Sequence, residues 1–255
     1  MWIDIHAHLY EQSADELAQS LTNAKSKNVH VVVNAATNIE TAKVVVGQCA
    51  REKNLFGVLG ISPFDTEVVP EYWSEELKGL LGHPGIIGIG EMGLDNTNPI
   101  YPSLEKQIPI FEKQLEMAVD MNVPVVIHSR GAEGEAIEMC SDHKVSKALF
   151  HCFTGSRNQL KKLIDCGYYV SFSGIITFKN SPCDELVSYA PLDRLFIETD
   201  TPYLSPHPFR GKPNEPANVI YVGEKIAAIK GIPVKAVAQS IEDNFFSLFN
   251  ISVSE

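Results

Sequence analysis

Trp2-Ile3-Asp4-Ile5-His6-Ala7-His8 and Arg194-Leu195-Phe196-Ile197-Glu198-Thr199-Asp200 are the stretches on which the fold turns. Each is a short apolar run with strand character that ends on metal-binding side chains: His6 and His8 in the first, Asp200 in the second. Working outward, strand-like runs are expected at 2–5, 30–33, 56–60, 86–90, 124–127, 147–150, 169–172 and 194–197. They are short, mainly apolar and often β-branched, as in strands covered on both faces. Helical periodicity falls between them, at 14–27, 39–53, 71–81, 104–122, 133–141, 156–166 and 183–190, with two more helices at 217–230 and 233–250. Repeated βα units imply a parallel sheet, either closed into a ring or open and doubly wound. Periodicity alone does not separate the two.

The polar residues do. Glu91 follows the fourth run, His128 the fifth and His151 the sixth. With His6, His8 and Asp200 they share the carboxyl edge of the strands, where barrel enzymes collect their catalytic groups. In an open sheet the first and last strands can lie far apart, whereas closure makes them neighbours. The reading is therefore an α/β protein, a single (β/α)8 TIM barrel over residues 1–255, with a metal site at the C-terminal end of its strands. Within 104–122, Ile108, Phe111, Leu115, Ala118 and Val119 recur at three- and four-residue steps and mark the face expected to be buried. Gly167, after Asp165-Cys166, is placed to end a helix with a left-handed turn.

The chain has 255 residues and a formal net charge of −11. A protein that grips nucleic acid through phosphates usually carries a basic stripe. None is visible here, so contact with DNA would have to be local, with divalent cations supplying positive charge. No apolar run approaches the roughly 20 residues of a membrane span, and the N-terminus lacks the pattern of a signal peptide, so a cytoplasmic location is expected. The five cysteines are scattered, without a CxxC pair, and read as reduced thiols.

Imidazoles and carboxylates together suit Zn²⁺ or Mn²⁺, and carboxylates with water also suit Mg²⁺. His6 and His8, two apart at a strand end, can address one ion. A carboxylate such as Glu91 can bridge two ions roughly 3.5–4 Å apart. A single histidine at a strand end is more often a hydrogen-bonded structural residue than a ligand, and His30, His83, His143 and His207 are read that way. For the set at the strand ends, many independent coincidences would be needed. Gly88-Ile89-Gly90-Glu91-Met92-Gly93 matches a dinucleotide fingerprint, but Leu94-Asp95-Asn96-Thr97-Asn98-Pro99 follows rather than a helix. The glycines are read instead as letting the backbone pass closely by Glu91.

The sequence resembles the TatD family of metal-dependent deoxyribonucleases, within the amidohydrolase-like superfamily. The resemblance is carried by Ile3-Asp4-Ile5-His6-Ala7-His8-Leu9, Gly90-Glu91-Met92-Gly93-Leu94-Asp95, Pro124-Val125-Val126-Ile127-His128-Ser129-Arg130, His151-Cys152-Phe153-Thr154-Gly155, Glu198-Thr199-Asp200-Thr201-Pro202-Tyr203 and Arg210-Gly211-Lys212-Pro213-Asn214-Glu215-Pro216. In order, these motifs span nearly the whole chain. The resemblance implies two divalent ions (Mg²⁺, Mn²⁺ or Zn²⁺): His6, His8 and Asp200 at one, His128 and His151 at the other, and Glu91 between them. Asp200 would also orient or deprotonate the attacking water, and the substrate would be DNA trimmed from its 3′ end.

Two departures qualify the resemblance. The run Gly60-Ile61-Ser62-Pro63 has serine where the family usually has histidine, and a hydroxyl cannot carry positive charge or shuttle a proton as imidazole does. The segment after Asp95 lacks the family's usual aromatic residues. Metal binding is untouched by these changes, but substrate preference is exposed to them. A small phosphoester, an amide or the ester of a misacylated tRNA is the alternative substrate. Candidate substrate contacts are Ser62, Asp95, Arg130, Arg210 and Asn214, with Lys212 near the entrance; the Asp95 carboxylate also reads, equally well, as orienting a ligand imidazole or as a loop cap.

Overall fold

The computed structural model describes residues 1–179 and 181–251. Eight parallel strands run in sequence order around the sheet: β1 (Trp2–Ala7), β2 (Val29–Ala35), β3 (Leu55–Leu59), β4 (Ile86–Asp95), β5 (Val125–Arg130), β6 (Ala148–Phe150), β7 (Tyr169–Phe172) and β8 (Leu195–Ile197). The helices between them are α1 (Ala14–Ser26), α2 (Ile39–Cys49), α3 (Trp73–Leu80), α4 (Leu104–Met121), α5 (Glu133–Asp142), α6 (Arg157–Asp165) and α7 (Asp184–Tyr189); α8 (Val219–Lys230) and α9 (Val234–Phe249) follow β8. Consecutive strands with helical crossovers, covered on both faces, leave Val31, Val32 and Val33 all buried. The result is a nearly closed TIM barrel.

Closure happens at the carboxyl end. β8 is only three residues long, so the seam with β1 is made just beyond it. The Asp200 N–H donates to the His6 carbonyl at 3.0 Å, and the His8 N–H donates to the Thr201 carbonyl at 2.7 Å. A buried side chain completes the join: Asp4 accepts from the Thr199 N–H at 2.8 Å and from the Thr199 hydroxyl at 2.6 Å. Burial holds the Asp4 carboxyl well above the usual aspartate range. The ring is thus fastened where the first and last candidate ligands meet.

Three strands run further than hydropathy indicates. His6 lies within β1, Glu91 within β4 and His128 within β5, instead of following them. Pairing of β4 with β5 continues through Met92↔Ile127, Gly93↔His128, Leu94↔Ser129 and Asp95↔Arg130. The expected ends fell just before these three side chains, but at a barrel mouth polar side chains enter the cavity while the backbone ladder continues. The two strands approach closely: a Cβ at Gly93, which has φ +138°, would lie 2.0 Å from the His128 carbonyl oxygen. Only glycine fits there.

In α4, Phe111, Leu115 and Ala118 are buried as expected, whereas Val119 is 43% exposed. Gln107 and Gln114 occupy the buried face as well, because their amides substitute for peptide partners. Gln107 accepts from the Asp95 N–H and donates to the Asp95 carbonyl, both at 2.8 Å. Gln114 likewise grips Ile61, accepting its N–H at 2.7 Å and donating to its carbonyl at 3.0 Å. A buried peptide left unpaired would cost about 1–3 kcal/mol, so these amides brace the two loop entrances. Ser156 caps α6, and beyond it Gly167, at φ +79°, donates to the Ile164 carbonyl at 2.8 Å. The expected start of α8 at 217 is replaced by a 3-10 turn, Pro216–Asn218. Among the described residues, no helix is long and apolar enough to cross a membrane.

Candidate metal centre

The strands bring His6 and His8 (end of β1), Glu91 (β4), His128 (β5), His151 (after β6) and Asp200 (after β8) into one cluster. Three overlapping sets have ligand atoms within 4.8 Å of one another: His6, His8 and Glu91; Glu91, His128 and His151; and His6, His151 and Asp200. Glu91 divides its oxygens between two sides. Its Oε2 is 3.7 Å from His6 Nε2 and 3.5 Å from His8 Nε2, while its Oε1 is 2.9 Å from His128 Nδ1 and 3.3 Å from His151 Nε2. Asp200 Oδ1 closes the first side, 3.9 Å from His6 Nε2 and 3.4 Å from His8 Nε2.

The outward ring nitrogens set the inward ones. His128 Nε2 lies 2.9 Å from Asp95 Oδ2, His151 Nδ1 3.3 Å from Glu198 Oε1, and His8 Nδ1 3.0 Å from the Ala35 carbonyl. Each of these contacts requires a proton on the outer nitrogen, so in the neutral ring the inner nitrogen carries a lone pair. Those lone pairs face Glu91 and Asp200 oxygens across 2.9–3.5 Å. Acceptors facing acceptors repel unless extra protons or cations lie between them. The donor set of imidazole nitrogen and carboxylate oxygen fits divalent Zn²⁺ or Mn²⁺, and Mg²⁺ at the oxygen-richer side. His6 Nδ1 is buried with no hydrogen-bond partner among the described residues.

The titration behaviour follows from this crowding. Burial opposes ionisation of Glu91, yet His128, His151 and His6 outweigh it and hold its pKa well below the ordinary glutamate value. Burial likewise opposes the Asp200 carboxylate, and the neighbouring His8, with His6 and His151, brings it below normal. For His151 burial disfavours the charged ring, but Glu198 and Glu91 overcome it and raise the pKa to about 10. His6 goes down, through burial and the adjacent His151 ring stacked on it at 3.9 Å. Carboxylates here stay ionised and draw positive charge inward.

A cavity of about 850 Å³ opens over this cluster, and both Asp95 and Arg130 line it. Arg130 Nη1 donates to the Cys152 carbonyl at 2.6 Å, which fixes the guanidinium at the wall. Asp95 is turned to His128 by one oxygen, while the other accepts from the Thr97 N–H at 2.9 Å. The remaining candidate contacts lie elsewhere. Ser62 is fully buried, its hydroxyl donating to Asp65 at 3.1 Å, and it is absent from the cavity lining. Asn214 is also buried, donating to the Thr199 carbonyl at 2.9 Å and the Tyr203 carbonyl at 2.8 Å, so it braces the chain around Asp200. Arg210 stacks over Phe178 at 3.7 Å, outside the lining, as is Lys212.

Sequence reasoning had singled out neither Glu198 nor the aromatic lining. Glu198 stands in the quoted strand-eight motif, a carboxylate just past an apolar run, and that position was its signal. Tyr10, Phe64, Tyr101 and Tyr203 line the cavity from loops whose course no local pattern reveals.

The family and the fold recur among known proteins. The family model described as TatD related DNase matches residues 3–250. The chain is 34% identical to "Uncharacterized metal-dependent hydrolase YcfH" of Escherichia coli strain K12, covering 99% of this chain and 97% of that one. It is 28% identical to "3'-5' ssDNA/RNA exonuclease TatD" of Citrobacter koseri, over 91% and 92% of the two chains. Among solved structures, the TatD homologue YjjV of Escherichia coli K12 superposes with a TM-score of 0.93 at 26% identity, over 98% of each chain. The chain belongs to the TatD family of metal-dependent hydrolases.

Proposed function

We propose that the protein hydrolyses DNA phosphodiester bonds from the 3′ end, using two divalent ions, Mg²⁺, Mn²⁺ or Zn²⁺. His6, His8 and Asp200 would hold one, His128 and His151 the other, with Glu91 shared. The observation that carries the reading is the division of the Glu91 oxygens between the two histidine pairs. Such a pair of cations supplies charge neutralisation at the phosphate and a more acidic water.

The protein's own groups do the rest. Asp200 keeps 15% side-chain exposure, so its carboxylate can take the proton of the attacking water. Arg130, fixed at the wall, pairs with a phosphate oxygen. Asp95 holds the His128 ring in one tautomer. Ser62 and Asn214 act on substrate through the segments they brace, at Asp65 and Tyr203, and Arg210 lies outside the cavity lining.

The test is a 5′-labelled single-stranded oligonucleotide incubated with metal-loaded protein. A ladder shortening from the 3′ end is expected, and Glu91→Ala should abolish it without changing the circular dichroism spectrum. Failure to cut with Mg²⁺ or Mn²⁺, while a generic phosphodiester is turned over, would sink the nuclease reading. One observation favours a second reading, a small phosphoester, an amide or a misacylated-tRNA ester: of the lining residues described, Arg130 alone is a lysine or arginine. Release of an amino acid from a 3′-aminoacyl ester, without DNA cleavage, would establish it.

A further inference from the structure

The cavity presents an imbalance. Among the described residues its walls offer a single permanent cation, Arg130, in a chain of net charge −11, yet four aromatic side chains line it. These are not scattered. The Phe64 ring stands 5.0 Å from the His128 ring, edge to face, and the Tyr101 ring 4.5 Å from Phe64, so aromatic surface runs outward from one side of the cluster. On the other side Tyr10 and Tyr203 lie 5.7 Å and 6.2 Å from the His8 ring. Tyr203 is 59% exposed, a large apolar face left open beside the centre.

The loop carrying Tyr101 is braced. Its N–H donates to the Asn98 carbonyl at 3.0 Å, and Gln107 donates to the neighbouring Pro102 carbonyl at 2.6 Å. Lys106, at the start of α4, is ion-paired with Glu67, just after the turn that carries Phe64. The segment directly after Asp95 lacks aromatic residues; Tyr101, further along the same loop, brings one to the cavity wall beside Phe64.

We propose that Phe64 and Tyr101 form a stacking platform for the base of the 3′-terminal nucleotide, so that the enzyme selects an unpaired, base-bearing end by stacking rather than by gripping the backbone. The inference rests on the nuclease reading above. A paired terminal base is already stacked and hydrogen-bonded within its duplex, whereas a frayed or single-stranded one presents its face. Every base has a π-face, so the platform tolerates any sequence. With one arginine to meet the phosphates, binding depends weakly on salt.

The experiment compares two 5′-labelled single strands, one all thymidine and one identical except for an abasic tetrahydrofuran residue at its 3′ end. Wild-type metal-loaded protein should remove the thymidine end with kcat/KM about ten- to a hundredfold above the abasic end. Tyr101→Ala should shrink that ratio to within about twofold through KM, with metal content measured in the same samples, and Tyr101→Phe should restore it. Raising salt from about 50 to about 200 mM should change KM less than about tenfold, against the roughly 10³–10⁵-fold of proteins with many phosphate contacts. Equal removal of both ends, an unchanged ratio in Tyr101→Ala, or a steep salt dependence overturns the platform while the nuclease reading stands. Absence of any cleavage of the thymidine strand overturns both.

Discussion

The two sides of the candidate metal cluster are built differently, although both begin from a pair of histidines. On the His6–His8 side the negative charge sits directly at the ligand positions, because Asp200 Oδ1 approaches both imidazoles. Among the described residues, the outer nitrogen of His8 is met by a backbone carbonyl alone, and that of His6 has no partner. On the His128–His151 side Asp200 comes within 4.8 Å of His151 but forms no such set with His128, and further charge lies behind the rings, in Asp95 and Glu198. Burial matches the division. The Asp200 side chain keeps 15% exposure, while Asp95 keeps 4% and Glu198 none. A carboxylate that is to exchange a proton with water needs access to it; a carboxylate that only makes an imidazole a better ligand is most effective when dry.

This contrast can be broken at its centre. Glu91→Gln leaves one oxygen able to ligate, so only one side keeps its shared acceptor. On the two-ion proposal, binding of both ions should weaken and turnover should fall by at least about a thousandfold, read by metal analysis after dialysis alongside an activity assay; a variant that keeps two ions and normal kcat removes the bridge from the account. Next in size is Asp200→Asn. A general base contributes about 10²–10⁴-fold, so kcat should fall in that range, with metal at the His128–His151 side retained. Equal loss of both ions would mean that Asp200 is chiefly a ligand.

Asp95→Asn and Glu198→Gln sharpen the other half. Each should lower metal affinity by about 10–100-fold, the usual effect of losing the group behind a ligand imidazole. Excess metal should restore most of the kcat, and titration calorimetry would read the affinity. Arg210→Ala is the smallest expected effect. Because its guanidinium stacks on Phe178 away from the cavity, kcat/KM should stay within about twofold of wild type. A tenfold loss would move the substrate path to that face.

Much of this candidate centre is legible in the sequence. The alternation of apolar strands with amphipathic helices, and the six ionisable residues at strand ends, are local properties of the chain, and local pattern is what sequence displays. The strand limits were not, because a hydropathy pattern stops at His6, Glu91 and His128 while the backbone ladder runs on through them. Val119 shows the same limit: its spacing placed it on the buried face of α4, but Gln107 and Gln114 hold that face because loop peptides needed partners there.

What the amino-acid order determined, then, was the repeating unit, the ring it closes into and the chemical types gathered in the candidate ligand set. Tertiary structure decided which nitrogen of each imidazole faces inward, since Asp95 orients His128 from 33 residues away and Glu198 orients His151 from 47. It also decided that Ser62 is sealed against Asp65, that Asn214 ties backbone, and that four aromatic rings stand around the mouth. The reason is physical: periodicity and side-chain chemistry belong to neighbours in the chain, whereas hydrogen-bond direction and cavity lining belong to neighbours in space, which only closure of the barrel selects.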